Sequence, residues 1–321
     1  MREPLTHRRI LFIAANPSVD RLYEVDQLTL GAIHRPEASL AVPGGKGLNA
    51  ARAAARLGGR VTVLGILAGR TGDWIEEQIA ERGIEARWVR SGGETRTCVS
   101  VLDRSTGAMT ELYERGEAMD PAAWGELDRL VAAELERGDV AVVALSGSLP
   151  PGAPAETFGR ITAAARTERV SSGPVSVLAD TYGPALAPVL SARPTVVKVN
   201  AEEASESTGL TVTDPGSAET AAERLREAGA EAVIVTLGRS GAVVVSAAGS
   251  TRLVPPPIRG SYPVGSGDAF LGGLAVGLVR GDDVVMAARL GLAAGTANAL
   301  VPGAGELDPG AIGRILEGIR G

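Results

Sequence analysis

The sequence predicts an α/β fold: a three-layer α/β/α core on a mostly parallel central sheet, with a small β-sheet lid outside it. Three observations carry that expectation. Short apolar runs alternate with longer amphipathic segments along most of the chain, the order that βαβ units leave in a sequence. Two stretches, about 21–42 and 95–115, break this rhythm with period-two alternation. Glycine-rich turns lie where strands run into helices, which is where an α/β sheet binds ligands.

Taken in order, the first apolar run covers residues 10–15 and is stopped by Asn16-Pro17. It is too short for a secretory leader and reads as the first core strand. Further short runs predict strands over 61–66, 140–146, 175–180, 195–199, 232–237 and 241–246. The amphipathic segments between them predict helices over 47–57, 72–82, 121–137, 155–167, 201–209 and 218–228, with a last helical pair over 282–299 and 308–321. In the second alternating stretch Thr97, Val99 and Val101 share a face and residues 103–107 supply a turn. Neither alternating stretch can bury much alone, so both are expected to dock as a lid over the crevice at the strand ends, or onto a partner subunit. No internal repeat appears, and Pro255-Pro256-Pro257 is a stiff connector before the last glycine turn.

Composition narrows the function classes. The formal net charge is -6 and aromatics make up 3% of residues, with no basic stripe, which speaks against a nucleic-acid surface. No apolar run approaches the ~20 residues of a membrane span; even the Ala-rich stretch 284–300 contains Arg289 and Asn298. The one cysteine, Cys98, cannot form an intrachain disulfide, which fits the cytoplasm. A soluble protein with a small-molecule partner is expected.

Pro263-Val264-Gly265-Ser266-Gly267-Asp268 is the turn around which the other motifs can be placed. Its glycines let backbone amides point at one spot and the following helix adds its positive end, so Gly265, Ser266 and Gly267 can form an anion hole. Asp268 at the helix start is the candidate general base, unless the turn is only a capped helix start. Gly44-Gly45-Lys46-Gly47-Leu48-Asn49 is a second glycine cluster, at the end of the first lid stretch. It lacks the Walker A spacing, and Gly45, Lys46 and Asn49 suit a sugar or sugar phosphate if Lys46 is not merely solvated. Asp20, after the first strand, can accept from two sugar hydroxyls or close an Asx turn. Lys198 can face phosphate, while Asn200 and Glu203 share a helix face; they can orient a Mg²⁺ hydration shell or form a capping box. Thr236, Gly238 and Gly241 can admit a nucleotide or make an ordinary hairpin.

In this order the motifs resemble the ribokinase-like (PfkB) carbohydrate kinase family. Gly-Gly-Lys-Gly-x-Asn, Gly-Ser-Leu-Pro-Pro-Gly at 147–152, Lys-x-Asn-x-x-Glu at 198–203, Thr-Leu-Gly-x-x-Gly at 236–241 and Gly-x-Gly-Asp at 265–268 cover nearly the whole chain. Asn-Pro-x-x-Asp at 16–20 and Thr-Arg-Thr-Cys-Val at 95–99 resemble the branch acting on phosphorylated hexoses, which includes 1-phosphofructokinase, tagatose-6-phosphate kinase and the minor 6-phosphofructokinase. The resemblance implies one ribokinase-like kinase domain over 1–321, ATP with Mg²⁺, and a homodimer through the lid. It implies Asp268 as base beside the anion hole of Gly265, Ser266 and Gly267. Asp20, Gly45, Lys46, Asn49 and Arg96 then contact the sugar phosphate. Lys198, Asn200, Glu203, Thr236, Gly238 and Gly241 serve ATP and its metal, and Asn298 approaches the adenine.

The chain departs from that pattern in two places. Ser266 stands where the family usually has Ala, and residues 110–116 read Thr-Glu-Leu-Tyr-Glu-Arg-Gly where the hexose-phosphate branch commonly has Thr-Glu-Ile-Asn-Glu-x-Gly. Tyr113 and Arg115 therefore alter the expected substrate rim. Arg21, Arg96, Arg115 and Lys46 are expected to clamp a phosphate together, favouring a phosphosugar over neutral ribose, and a phosphorylated ketohexose, fructose 1-phosphate foremost, is the expected acceptor. Tagatose-6-phosphate kinase, 6-phosphofructokinase, ribokinase or another sugar or nucleoside kinase are the alternatives, and a non-catalytic sugar-phosphate-binding protein is the alternative of another class.

Overall fold

The computed structural model describes residues 8–170 and 173–321. From the N-terminus, β1 (Arg9–Ala14) passes into a lid hairpin, β2 (Ser18–Val25) and β3 (Ala38–Gly44), which turns directly into α1 (Lys46–Arg56). After β4 (Val61–Ala68), α2 (Gly69–Glu81) and β5 (Glu85–Ser91), the chain returns to the lid as β6 (Thr97–Asp103) and β7 (Ala108–Tyr113). The alternation resumes with α3 (Pro121–Glu136), β8 (Val140–Ser146), α4 (Thr157–Thr167), the two-residue strands β9 (Arg169–Val170) and β10 (Gly173–Pro174), β11 (Ser176–Asp180) and α5 (Leu186–Ser191). Then come β12 (Val196–Asn200), α6 (Ala201–Thr208), α7 (Pro215–Glu227), β13 (Ala232–Thr236), β14 (Ala242–Ser246) and β15 (Gly249–Leu253), and finally α8 (Ser266–Arg280), α9 (Val284–Asn298) and α10 (Pro309–Gly318).

The large sheet runs in the order β15-β14-β13-β12-β11-β8-β1-β4-β5. It is parallel from β5 to β13, and β14 and β15 close it antiparallel. Every residue of β1, β4 and β8 is buried, as a strand covered on both faces requires. One face packs Phe12, Val63 and Leu178 under α1, α8, α9 and α10, and the other packs Leu11, Val143 and Val233 under α3, α4 and α7. The predicted three-layer core is the fold observed, with most element ends shifted by one to three residues.

Some elements escaped the sequence pattern. β5 is an edge strand carrying Glu85, Arg87 and Arg90, and β15, the other edge, is short and polar, so neither reads as an apolar run. α7 begins at Pro215, three residues before its expected start, because Asp214 caps it by accepting from the amides of Gly216 and Ser217. Among the described residues no helix is long and apolar enough to cross a membrane.

The lid is a separate sheet in the order β3-β2-β6-β7. Its register sets Asp20 beside Val42 and Cys98, and Cys98 beside Tyr113, on one face. Thr97, Val99 and Val101 do share a face, the opposite one, where they pair with Val19, Arg21 and Tyr23.

Candidate active site

The site forms where the C-terminal ends of β1, β8, β11 and β12 meet the N-termini of α1 and α8 beneath the lid. Gly44 and Gly45 bend β3 into α1. A Cβ on Gly44 would lie within 2.0–2.3 Å of the Asp20 carboxyl atoms, and Gly45 has φ 84 with Asn16 O 2.9 Å from its would-be Cβ. Both positions exclude a side chain so that Asp20 can fold back over the helix start. Ser18 Oγ donates to Asp20 Oδ1 at 2.6 Å, while Asn49 Nδ2 donates to Asp20 Oδ2 at 3.2 Å and to Asp268 Oδ2 at 3.0 Å. A single amide thus joins the lid carboxylate to the candidate base.

Gly265 caps α8 at φ 81, and its would-be Cβ is 2.6 Å from Ala304 Cα, so the turn is pressed against the 303–306 loop. The Ser266 amide donates to Pro263 O at 3.2 Å. Of the predicted anion hole that amide is therefore already engaged, and among the described residues the amides of Gly265, Gly267 and Asp268 have no backbone acceptor. Lys198 faces them: its Nζ is 3.2 Å from the would-be Cβ of Gly267 and donates to Asp180 Oδ2 at 2.5 Å.

Asp180 ends β11 with no exposure and is shared by two ammonium groups, Lys198 and Lys46, the latter at 3.3 Å. Lys46 Nζ also donates to Glu203 Oε1 at 2.7 Å and lies 5.1 Å from the centre of the Tyr182 ring. Burial opposes the charge on Lys46, yet Asp180, Glu203 and Asp268 outweigh it and hold the ammonium firmly protonated. Asp268 is 7% exposed. Burial pushes its carboxyl up and Asp180 adds to this, while Lys46, the Asn49 N–H and Lys198 pull it down, leaving it at about 7. A carboxyl titrating there can accept a proton at neutral pH.

Asn200 and Glu203 form the capping box. Glu203 N donates to Asn200 Oδ1 at 2.8 Å, and Asn200 N donates to Glu203 Oε2 at 2.9 Å. Asn200, Glu202, Asp214, Thr236, Gly238 and Ser240 line an open pocket of about 440 Å³. Gly241 stands behind it, where a Cβ would overlap Leu253 O at 1.9 Å.

Two expectations are corrected. Asn298 has no exposure; its Nδ2 donates to Val264 O at 2.9 Å and its Oδ1 accepts from Gly305 N at 2.7 Å. Its amide is spent pinning the glycine turn from below, which leaves none for an adenine. Nor do the four cations converge. Arg21 alternates to the lid face opposite Asp20 though it still borders the cavity beside it, Arg115 is exposed beyond β7, and Lys46 is held by carboxylates. Arg96 stays at the rim, donating to Glu114 O at 3.1 Å and Asn16 O at 3.2 Å.

Under the lid a small cavity of about 30 Å³ lies beside Asp20, lined also by Leu22, Cys98, Met109, Tyr113 and Tyr262. Tyr113 donates its hydroxyl to Glu111, and burial together with that carboxylate raises its pKa. Sequence reasoning missed Asp180, Tyr182 and Arg52. Asp180 could have been found as the one charge closing an otherwise apolar strand run.

The profile of the pfkB family carbohydrate kinases matches residues 14–310. A 1-phosphofructokinase of Rhodobacter capsulatus is 36% identical over 287 residues, covering 89% of this chain and 88% of the relative. A tagatose-6-phosphate kinase of Staphylococcus epidermidis is 34% identical over 274 residues, 84% and 86% of the two chains. The crystal structure of Escherichia coli phosphofructokinase-2 in complex with fructose-6-phosphate superposes with a TM-score of 0.85 at 28% identity, covering 97% of this chain and 98% of that one.

Proposed function

Because the chain belongs to the pfkB family of carbohydrate kinases, we propose that it transfers the γ-phosphate of ATP to the free primary hydroxyl of a phosphorylated ketohexose, fructose 1-phosphate foremost. The observation that carries this reading is the buried Asp268 carboxyl at the start of α8, linked through Asn49 to Asp20 and held at about 7. Asp20 and Asn49 grip the sugar hydroxyls, and Arg96 at the lid rim takes its phosphate. Asp268 accepts the hydroxyl proton as the oxygen attacks the γ-phosphorus, and ADP leaves. The amides of Gly267 and Asp268, with Lys198 beside them, hold the charge of the transferring group.

The nucleotide belongs in the open pocket lined by Asn200, Thr236 and Gly238. Among the described residues no group of three or more acidic, His or Cys side chains could cage a metal, which suits a Mg²⁺ carried mainly by phosphates and water. Glu203 and Asn200 would hold that ion through its water, and when bound it neutralises charge on the phosphate oxygens. The reading includes a cytoplasmic enzyme with one kinase domain. It also includes a homodimer through the lid, whose Leu30, Ile33 and Leu112 are exposed apolar side chains.

The test is a coupled ADP-release assay with Mg·ATP against fructose 1-phosphate, tagatose 6-phosphate, fructose 6-phosphate, ribose and adenosine. A clear preference for fructose 1-phosphate is expected. Preference for a neutral acceptor would overturn the phosphosugar assignment, and binding of a sugar phosphate without turnover on any acceptor would overturn the kinase reading.

A further inference from the structure

Asn49 has to present its NH₂ to two carboxyls, Asp20 and Asp268, and nothing in the amide itself prevents the opposite orientation. Turned over, it would set a carbonyl oxygen against both. The two carboxyls favour the NH₂ on their side, and Arg52, one helical turn along α1 and 2% exposed, holds the amide from the other. Its Nη2 donates to Asn49 Oδ1 at 2.8 Å. A guanidinium has donors only, so the atom facing it must be the amide oxygen, and the NH₂ is driven toward the carboxyls.

The same guanidinium reaches the other half of the site. Nη2 also donates to Ala304 O at 2.5 Å, and Nη1 donates to Glu306 Oε1 at 2.6 Å. Ala304 is the residue against which Gly265 is pressed, and a Cβ on Gly305 would lie 2.7 Å from Asn49 Cα. The 303–306 loop is therefore wedged between the helix that carries Asn49 and the turn that carries Asp268, with Arg52 holding both sides.

We propose that Arg52 is a positioning residue: it fixes the amide orientation of Asn49, and through Asn49 the alignment of Asp20 and Asp268 on the acceptor hydroxyl. This rests on the kinase reading for its catalytic consequence, but not for the orientation itself.

Two measurements test it. The first is a double-mutant cycle in kcat with the preferred acceptor. Arg52→Met should lower kcat by about tenfold or more in the native chain, yet by less than about threefold when Asn49→Ala is already present, because the residues act as a unit. Equal losses in both backgrounds would make Arg52 a loop anchor only and overturn the proposal. The second needs no turnover. The chain has four asparagines, Asn16, Asn49, Asn200 and Asn298, so selective ¹⁵N-asparagine labelling gives a small set of side-chain NH₂ signals. The Asn49 signal is the one that Asn49→Ala removes. Arg52→Met should shift or broaden it while leaving those of Asn16 and Asn200 in place, and an unmoved Asn49 signal would overturn the proposal even if no acceptor is turned over. Should Arg52→Met not fold, Arg52→Lys takes its place with the same expectations: it keeps the charge for Glu306 but cannot reach Asn49 and Ala304 together.

Discussion

Replacing Asp268 with Asn should separate activity from stability, moving them in opposite directions. Amide for carboxyl keeps the volume and removes the proton acceptor, so turnover should fall by roughly 10²–10⁴. Stability follows from linkage. Folding raises this carboxyl from an ordinary 3.8 to about 7. Between those values the folded chain binds more protons than the unfolded one, so the wild type loses stability as pH rises through this window, and the loss is complete above about 7. At ~1.4 kcal/mol per unit, the ionised carboxyl costs at most about 4 kcal/mol at pH 8 and about 1.7 kcal/mol at pH 5. Asp268→Asn removes that cost and at the same time deprives Lys46 and Lys198 of a negative neighbour, which trims the gain. Urea melts of both proteins at pH 5 and pH 8, beside the ADP-release assay, give the answer. The variant should match or exceed the wild type in stability, with its advantage larger at pH 8. Activity within tenfold of wild type, or an advantage that does not grow with pH, would refute the assignment of Asp268 as a buried base near neutrality.

Gly44→Ala puts a methyl onto the Asp20 carboxylate, so the acceptor KM should rise by about tenfold or more, the worth of ~1.4 kcal/mol, with a smaller change in kcat. Arg96→Ala should raise KM for a phosphorylated acceptor, by roughly tenfold for one lost charge-assisted contact, and leave a neutral analogue nearly unaffected; equal effects on both would take Arg96 out of the phosphate site. Asp180→Asn strands the buried Lys198, while Lys46 keeps Glu203, and should destabilise the fold by roughly 3–5 kcal/mol in denaturant melts. Because the base must be ionised, kcat/KM should decline below about pH 7. Asp180 raises the Asp268 carboxyl and Lys46 lowers it, so Asp180→Asn should move that acid limb down in pH and Lys46→Met should move it up. A limb that moves the same way in both belongs to another group.

The layers of the fold were legible because strands buried on both faces, such as β1 and β8, must be short and wholly apolar, and that constraint leaves few alternatives. Legibility failed where the constraint lapses. β5 and β15 bound the sheet, present one face or an edge to solvent, and so carry charged and polar residues that read as loop. The lid was legible as two alternating stretches, but alternation alone does not say which face turns inward. That question decides the fate of Arg21, which the register sends outward together with Val99 while Asp20 turns in beside Cys98.

At the site, residues in glycine motifs could be found from their sequence because a strand-to-helix turn pressed against another segment of the chain tolerates no Cβ, and Gly44, Gly45 and Gly265 meet that requirement. The electrostatic frame could not be found this way. Asp180, Lys46, Lys198 and Glu203 come from four separate elements and are joined only by tertiary folding, and the role of each depends on the others. Lys46 illustrates the consequence. As a residue in a Gly-Gly-Lys-Gly motif it reads as a ligand for phosphate, yet in the folded chain its ammonium already bonds two carboxylates. A phosphate reaching Lys46 must therefore compete with Asp180 and Glu203, while Arg96, which bonds only backbone carbonyls at the rim, meets no such competitor. Lys46 is also among the charges that pull the Asp268 carboxyl down toward neutral pH, so we propose that it tunes the base in addition to its expected part in substrate binding.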